Sequence, residues 1–284
     1  MARLGWMSDT HVNTDNKRAP GAGTRLTADV VSLFEDYGVE HLYINGDAVA
    51  PNNGWQRDIH TKPAYYDEFW RLIDESGYGD CAICTPGNHE CPLQLFVASD
   101  SRARLRYRTE FDGVTLLMVN TAAPAWVTGG RGAAYGWNNG HVPKTDLAWL
   151  DTQLDEAGED AKLVFFHHHA WLTPGDPFAS APAGTRTMHQ GNLYEVCRNY
   201  QEIHRLLSSY EKVVVPQGHT YQFTAEGASN VDGVEYLYKK HYYETVSDTV
   251  YSYAFIDIDE AGCTVTTVDH RTGSESVILD KTFT

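Results

Sequence analysis

The sequence contains no apolar run approaching the roughly 18 residues that a membrane-crossing helix needs, so no helical span is expected. Its first residues, Met1 to Met7, run into an acid at Asp9 and leave no room for a secretory hydrophobic region. Cysteine is scarce. The five cysteines, an odd number in a chain of 284 residues, are not a disulfide framework, and reduced thiols in a cytoplasmic setting are the expectation. Cys81 and Cys84 form a C-x-x-C with Cys91 nearby. A strand would send the first two to opposite faces, and no second pair completes four sulfur ligands, so they read as small buried hydrophobes. Lysine is scarce as well, 8 against 14 arginines, and 22 basic residues face 38 acidic ones for a formal net charge of -16. Such a charge repels nucleic-acid backbones and anionic membranes, so neither is an expected partner; it also suits a high-salt habitat.

With 42% hydrophobic residues and 12% aromatics, the chain has enough apolar mass to bury a large core, which excludes disorder. No internal repeat or linker divides it, and residues 1–284 are expected to form one domain. Strand and helix alternate at first. Residues 3–8 read as a buried strand, 24–37 as a helix carrying Leu26, Val30, Leu33 and Tyr37, and His41 to Asn45 as a second strand. Tyr66, Phe69, Trp70 and Ile73 mark the next helix, and Cys81 to Cys84 a third strand that stops at Pro86-Gly87. Asp112-Gly113 between two apolar runs then predicts a hairpin. Beyond it come a helix over 143–157, a strand over Lys162 to Phe166, and a helix of about 17 residues with Val196, Tyr200, Ile203, Leu207 and Tyr210 aligned. Val213 to Val215 is one more strand, and a β-rich remainder turns at Asp232-Gly233, with strands near Tyr236, Phe255 and Val265.

The residues directly after the predicted strands carry the chemistry. They are Asp9 and His11, Asp47, Asn88 and His89, His167 to His169, and His219. Carboxylates, an amide and several imidazoles delivered from five strand ends make a poor hydrophobic core and a good cage for borderline divalent metals. One carboxylate shared by two cations can bridge them, as in hydrolases that use metals about 3.5 to 4 Å apart, and Asp47 is the natural bridge.

In Asp9-Thr10-His11, Gly46-Asp47, Gly87-Asn88-His89-Glu90, Val164-Phe165-Phe166-His167 and Gly218-His219, taken in this order, the chain resembles the calcineurin-like metallophosphoesterases. These include purple acid phosphatases and class III cyclic-nucleotide phosphodiesterases. The resemblance implies an α/β fold, a four-layer αββα sandwich of two mixed sheets flanked by helices. It implies a binuclear centre of manganese, iron or zinc, one metal on Asp9 and His11, the other on Asn88, His167 and His219, with Asp47 between them. A metal-bridging hydroxide would attack phosphorus, and His89 would protonate the leaving oxygen. Glu90 either orients a histidine or caps the segment beyond it.

The chain departs from the family pattern in two places. The last motif is usually Gly-His-x-His, and its final position here is Tyr221, so one metal is a ligand short; Tyr221 itself or another histidine such as His241 can compensate. The usual His-His-Pro reads His167-His168-His169-Ala170, which leaves His168 as an alternative ligand to His167. The expected substrate is a small phosphate ester, monoester or diester, with specificity in the Trp126 to His141 and Trp171 to His189 segments. A metal-poor binding module on the same fold, and a nuclease or cyclic-nucleotide phosphodiesterase, are the other readings.

Overall fold

Two six-stranded sheets pair through their inner faces, and the computed structural model describes residues 1–12, 22–49, 63–90, 93–122, 140–171, 188–189, 192–193, 197–219, 226–239 and 252–284 of the chain. The first sheet holds β1 (Ala2–Met7), β2 (His41–Asn45), β3 (Ala82–Thr85), β12 (Ser252–Asp259), β13 (Gly262–Asp269) and β14 (Glu275–Thr282), in the order β14-β13-β12-β1-β2-β3. The second holds β4 (Arg106–Phe111), β5 (Val114–Val119), β6 (Ala161–Phe166), β9 (Val213–Gln217), β10 (Gly227–Val231) and β11 (Val234–Tyr238), in the order β10-β11-β9-β6-β5-β4. A two-residue pair, β7 (Met188–His189) and β8 (Asn192–Leu193), stands apart. The helices are α1 (Ala22–Glu35), α2 (Pro63–Glu75), α3 (Leu93–Ser99), α4 (Lys144–Ala157) and α5 (Tyr200–Leu207).

The period-two alternation of the central strands decides the layering. Leu4 and Trp6 of β1, Tyr43 of β2, Leu163 and Phe165 of β6, and Val214 of β9 point into the space between the sheets, where they pack with Leu116, Met118 and Ile256. Their neighbours point outward. Leu42 and Ile44 meet α1 and α2 through Leu33, Phe69 and Ile73. Val164, Phe166 and Val215 meet α4 and α5 through Leu150, Leu154, Ile203 and Leu207. Both faces of each central strand are therefore covered, giving the expected αββα sandwich of two mixed sheets. Cys84 lies in one of these cores as a free thiol, as expected of a small hydrophobe, whereas Cys81 is only half-buried; Cys197 and Cys263 are buried free thiols too, and Cys91 lies outside the described residues.

The Asp112-Gly113 hairpin forms as predicted, with φ of 44° and 74° at the two turn residues and Phe111 opposite Val114. Two elements differ from expectation. Strand β9 continues past Val215 to Gln217, and its ladder to β6 tolerates Pro216 because pairing resumes only at Gln217 with Phe166. The helix expected around Tyr200 spans only Tyr200–Leu207. Its N-terminal extension is pre-empted because Cys197 N–H donates to His169 O at 2.9 Å and Arg198 N–H to Gly140 O at 2.8 Å. That stretch of backbone ties down the loop after β6 instead of entering a helix.

Candidate metal centre

The parallel pairs β1–β2 and β2–β3 run in the same direction, as do β5–β6 and β6–β9, so the carboxyl ends of β1, β2, β3, β6 and β9 come to one edge of the sandwich. Sequence neighbours of those ends thereby become spatial neighbours. His11 Nε2 lies 3.4 Å and His89 Nε2 3.6 Å from Asp47 Oδ2, and His167 Nε2 lies 3.4 Å from Asp47 Oδ1. His219 Nδ1 is 3.9 Å from Asp47 Oδ2, and Asn88 Oδ1 is 3.2 Å from His167 Nε2. The ligand atoms of Asp9, Asp47, His167 and His219 lie within 4.8 Å of one another, as do those of His11, Asp47 and His89. Asp47 is common to both sets. The grouping brings Asp9 beside His167 and His219, and His11 beside His89.

Backbone conformation is bent to make this convergence. Asp9, His11, Asp47 and His219 all adopt the left-handed region, with φ between 48° and 58°, strain that clusters where a site over-determines it. Glycine is required at two neighbours. A Cβ on Gly46, whose φ is +100°, would lie 2.5 Å from the His167 ring, and one on Gly87 would lie 2.2 Å from Asp47 Oδ1.

Among the described residues, Glu90 bonds to backbone amides and to no histidine. Its buried carboxylate accepts the backbone N–H groups of Asp47 at 2.9 Å, Gly87 at 2.6 Å and Val49 at 3.1 Å, clamping the β2 and β3 loops together. Burial and the charge of Asp47 push its pKa up to about 7, against the pull of those donors. Glu90→Ala leaves three donors without their acceptor. At about 1 kcal/mol or more for each, we expect a loss of at least ~3 kcal/mol, read as a lowered denaturant midpoint, with Glu90→Gln recovering part of it.

Asn45, at the last position of β2, joins the two sheets beneath the cluster. Trp6 Nε1–H donates to Asn45 Oδ1 at 2.9 Å, Asn45 Nδ2–H donates to Phe166 O at 2.7 Å, and His167 Nδ1 lies 2.8 Å from Asn45 O. A carbonyl accepts only, so His167 Nδ1 carries a proton and Nε2 is the atom aimed at Asp47, the arrangement a ligating histidine needs. The sequence signal was an amide at the buried end of an apolar strand, directly before Gly46-Asp47.

Charge obeys geometry. Burial opposes ionisation of Asp47, but the imidazoles of His89, His167 and His11 outweigh it and hold the carboxyl well below its usual range. Asp9 is also lowered, burial again being outweighed, chiefly by His167. Burial opposes a charge on His167, yet the Asp47 carboxylate, by charge and hydrogen bond, raises it to about 9. His89, His168 and His219 go the other way, mainly through burial, with His89 pushed down to about 3.

Asp9, His11, Asp47, Asn88, His167 and His219 are each at most 7% exposed, whereas the His89 side chain is 13% exposed and so stands at the rim. Asn88 Nδ2 and His219 Nε2 are buried without hydrogen-bond partners among the described residues. Two buried carboxylates, an amide oxygen and several neutral nitrogens make no sense as a dry core and fit divalent cations well. Tyr221, His241 and nearly all of the two segments expected to set specificity lie outside the described residues.

Residues 2–223 match the model of the family described as calcineurin-like phosphoesterase. Glycerophosphodiester phosphodiesterase GpdQ of Enterobacter lignolyticus (strain SCF1) is 28% identical over 181 residues, which are 58% of this chain and 56% of that protein. The chain thus spans little more than half the length of this curated relative. A dimetal phosphatase from Danio rerio superposes with a TM-score of 0.64 at 14% identity, covering 100% of this chain and 99% of that one. GAP50, the anchor in the inner membrane complex of Plasmodium, superposes with 0.56 at 10% identity, covering 99% and 88%. At these identities the structural likeness is one of fold.

Proposed function

This chain belongs to the calcineurin-like phosphoesterase family, and we propose that it is a metal-dependent hydrolase of small phosphodiesters. The observation that carries the reading is the sharing of one buried carboxylate, Asp47, between two sets of candidate ligands. Similarity to a glycerophosphodiester phosphodiesterase is what favours diesters over monoesters.

Asp9, His11, Asp47, Asn88, His167 and His219 would hold two transition-metal ions, manganese, iron or zinc, with Asp47 the carboxylate available to both. When bound, such a pair supplies a nucleophile from water near neutral pH and offsets charge on the phosphate oxygens. The residues do the rest. Asn45 fixes the ring of His167 through Nδ1, and Glu90 fixes the backbone of Asp47. His89, at the rim, donates a hydrogen bond to the phosphate and its proton to the leaving oxygen. His89 is neutral in the ligand-free site, and an arriving phosphate anion raises its proton affinity.

The test is turnover of bis(p-nitrophenyl) phosphate with added Mn²⁺, abolished by chelation and restored by re-addition. Turnover of the diester should exceed that of p-nitrophenyl phosphate; absence of turnover with Mn²⁺, Fe²⁺ and Zn²⁺ alike sinks the reading, and faster cleavage of single-stranded nucleic acid corrects the substrate. Metal binding has a predictable pH dependence. The His167 proton persists up to about pH 9 and must leave before Nε2 can bind a cation, so apparent affinity rises with pH through the neutral range and levels off above 9. Calorimetry in buffers of different ionisation enthalpy should show net proton release near pH 7.5.

A further inference from the structure

The six proposed ligands leave His168 without a task, although its environment is as constructed as theirs. The residue is 0% exposed. Its backbone N–H donates to Thr121 Oγ1 at 3.1 Å, and its Nδ1 lies 2.7 Å from the same oxygen. Thr121, just past the end of β5, therefore sets the plane of the ring and occupies one nitrogen. The other, Nε2, is buried and has no hydrogen-bond partner among the described residues. Across from it stands the ring of His219, centroids 4.6 Å apart, whose Nε2 is also without a partner.

Two buried imidazole nitrogens left unsatisfied in neighbouring rings are costly, at about 1 to 3 kcal/mol each. The ring is also hemmed in, since a Cβ on Gly140 would come within 2.5 Å of it. One nitrogen each of His167, His168 and His219 lie within 4.8 Å of one another. Tetrahedral bonds of 2.0–2.1 Å would bring such nitrogens to about 3.4 Å, a closure that small ring rotations supply.

We propose that His168 is a metal ligand in this chain, forming with His167 and His219 a three-imidazole set oriented by Thr121. The proposal rests on the metal centre proposed above and adds to it a nitrogen donor beyond the six ligands that the family resemblance implies. The added donor falls on the ion expected at Asn88, His167 and His219 and leaves the shortfall at Tyr221, which concerns the ion expected at Asp9 and His11, as it stands.

The test compares wild type, His168→Ala and Thr121→Val, stripped of metal, titrated with Zn²⁺ against a chromogenic chelator, and assayed by elemental analysis after desalting. Wild type should retain two ions. His168→Ala should retain one, or hold the second at least about tenfold more weakly; Thr121→Val, which keeps the ring but frees its Nδ1, should weaken that ion by about 10 to 100-fold. Two ions held by His168→Ala with unchanged affinity overturn the proposal and leave the metal centre standing. A wild type that retains no ion overturns both. Should His168→Ala fail to fold, ¹⁵N-histidine spectra of the wild type decide, with His168 assigned by the change that Thr121→Val causes. A His168 Nε2 shift unmoved by Zn²⁺ overturns the proposal.

Discussion

Asp47→Asn is expected to reduce phosphodiester turnover by about a thousandfold or more and to cut retained metal well below two ions per chain. Both effects come from one position. The carboxylate lies 3.4 to 3.9 Å from ring nitrogens of His11, His89, His167 and His219, and among the described residues no other candidate ligand shares both sets. Losing it removes a ligand from each ion, and several kcal/mol of transition-state stabilisation correspond to at least three powers of ten in rate. The amide preserves shape and can still accept the His89 N–H that Asp47 Oδ1 takes at 2.9 Å, so the fold should survive. Elemental analysis and turnover are to be read beside circular dichroism. A folded variant with two tightly held ions and turnover within tenfold of wild type would show that Asp47 bridges nothing.

His89→Ala should instead leave both ions in place and lower turnover by about 10² to 10⁴-fold on substrates with alkyl leaving groups. The effect should shrink on p-nitrophenyl esters, because nitrophenolate departs without a proton. That contrast is the signature of proton donation, and a purely structural role would depress both substrates alike. The rim position makes the assignment testable in a second way. His89 Nε2 sits 3.6 Å from Asp47 and its ring 4.7 Å from that of His11, close enough to act as a ligand instead. Loss of one ion in His89→Ala would move it from the acid role to the ligand set.

Most of the layering is legible in the chain. Alternation in Leu163-Val164-Phe165-Phe166 and in Val213 to Val215 identifies strands buried on both faces, and β-hairpin turns at Asp112-Gly113 and Asp232-Gly233 fall where positive φ is needed. Local signals fail where long-range contacts outbid them. Hydrophobic spacing near Tyr200 predicts too long a helix because Cys197 and Arg198 give their N–H groups to distant carbonyls, and spacing carries no information about such bonds. Glu90 shows the same limit. In the sequence it is an acid beside a histidine, and only the fold reveals that its partners are backbone amides contributed by two loops.

The sequence by itself determined the donor inventory: Asp9, His11, Asp47, Asn88, His89, His167 and His219 each come after an apolar strand, and chemistry limits what such a set can bind. Tertiary structure decided the rest: which atoms meet, which nitrogen of His167 faces the carboxylate, and that Asn45 and Thr121 hold the rings in place. The reason is physical. Residue type fixes what a side chain can donate or accept, whereas its partners are set by the packing of two sheets, which brings together residues as distant in sequence as Asp9 and His219, 210 positions apart.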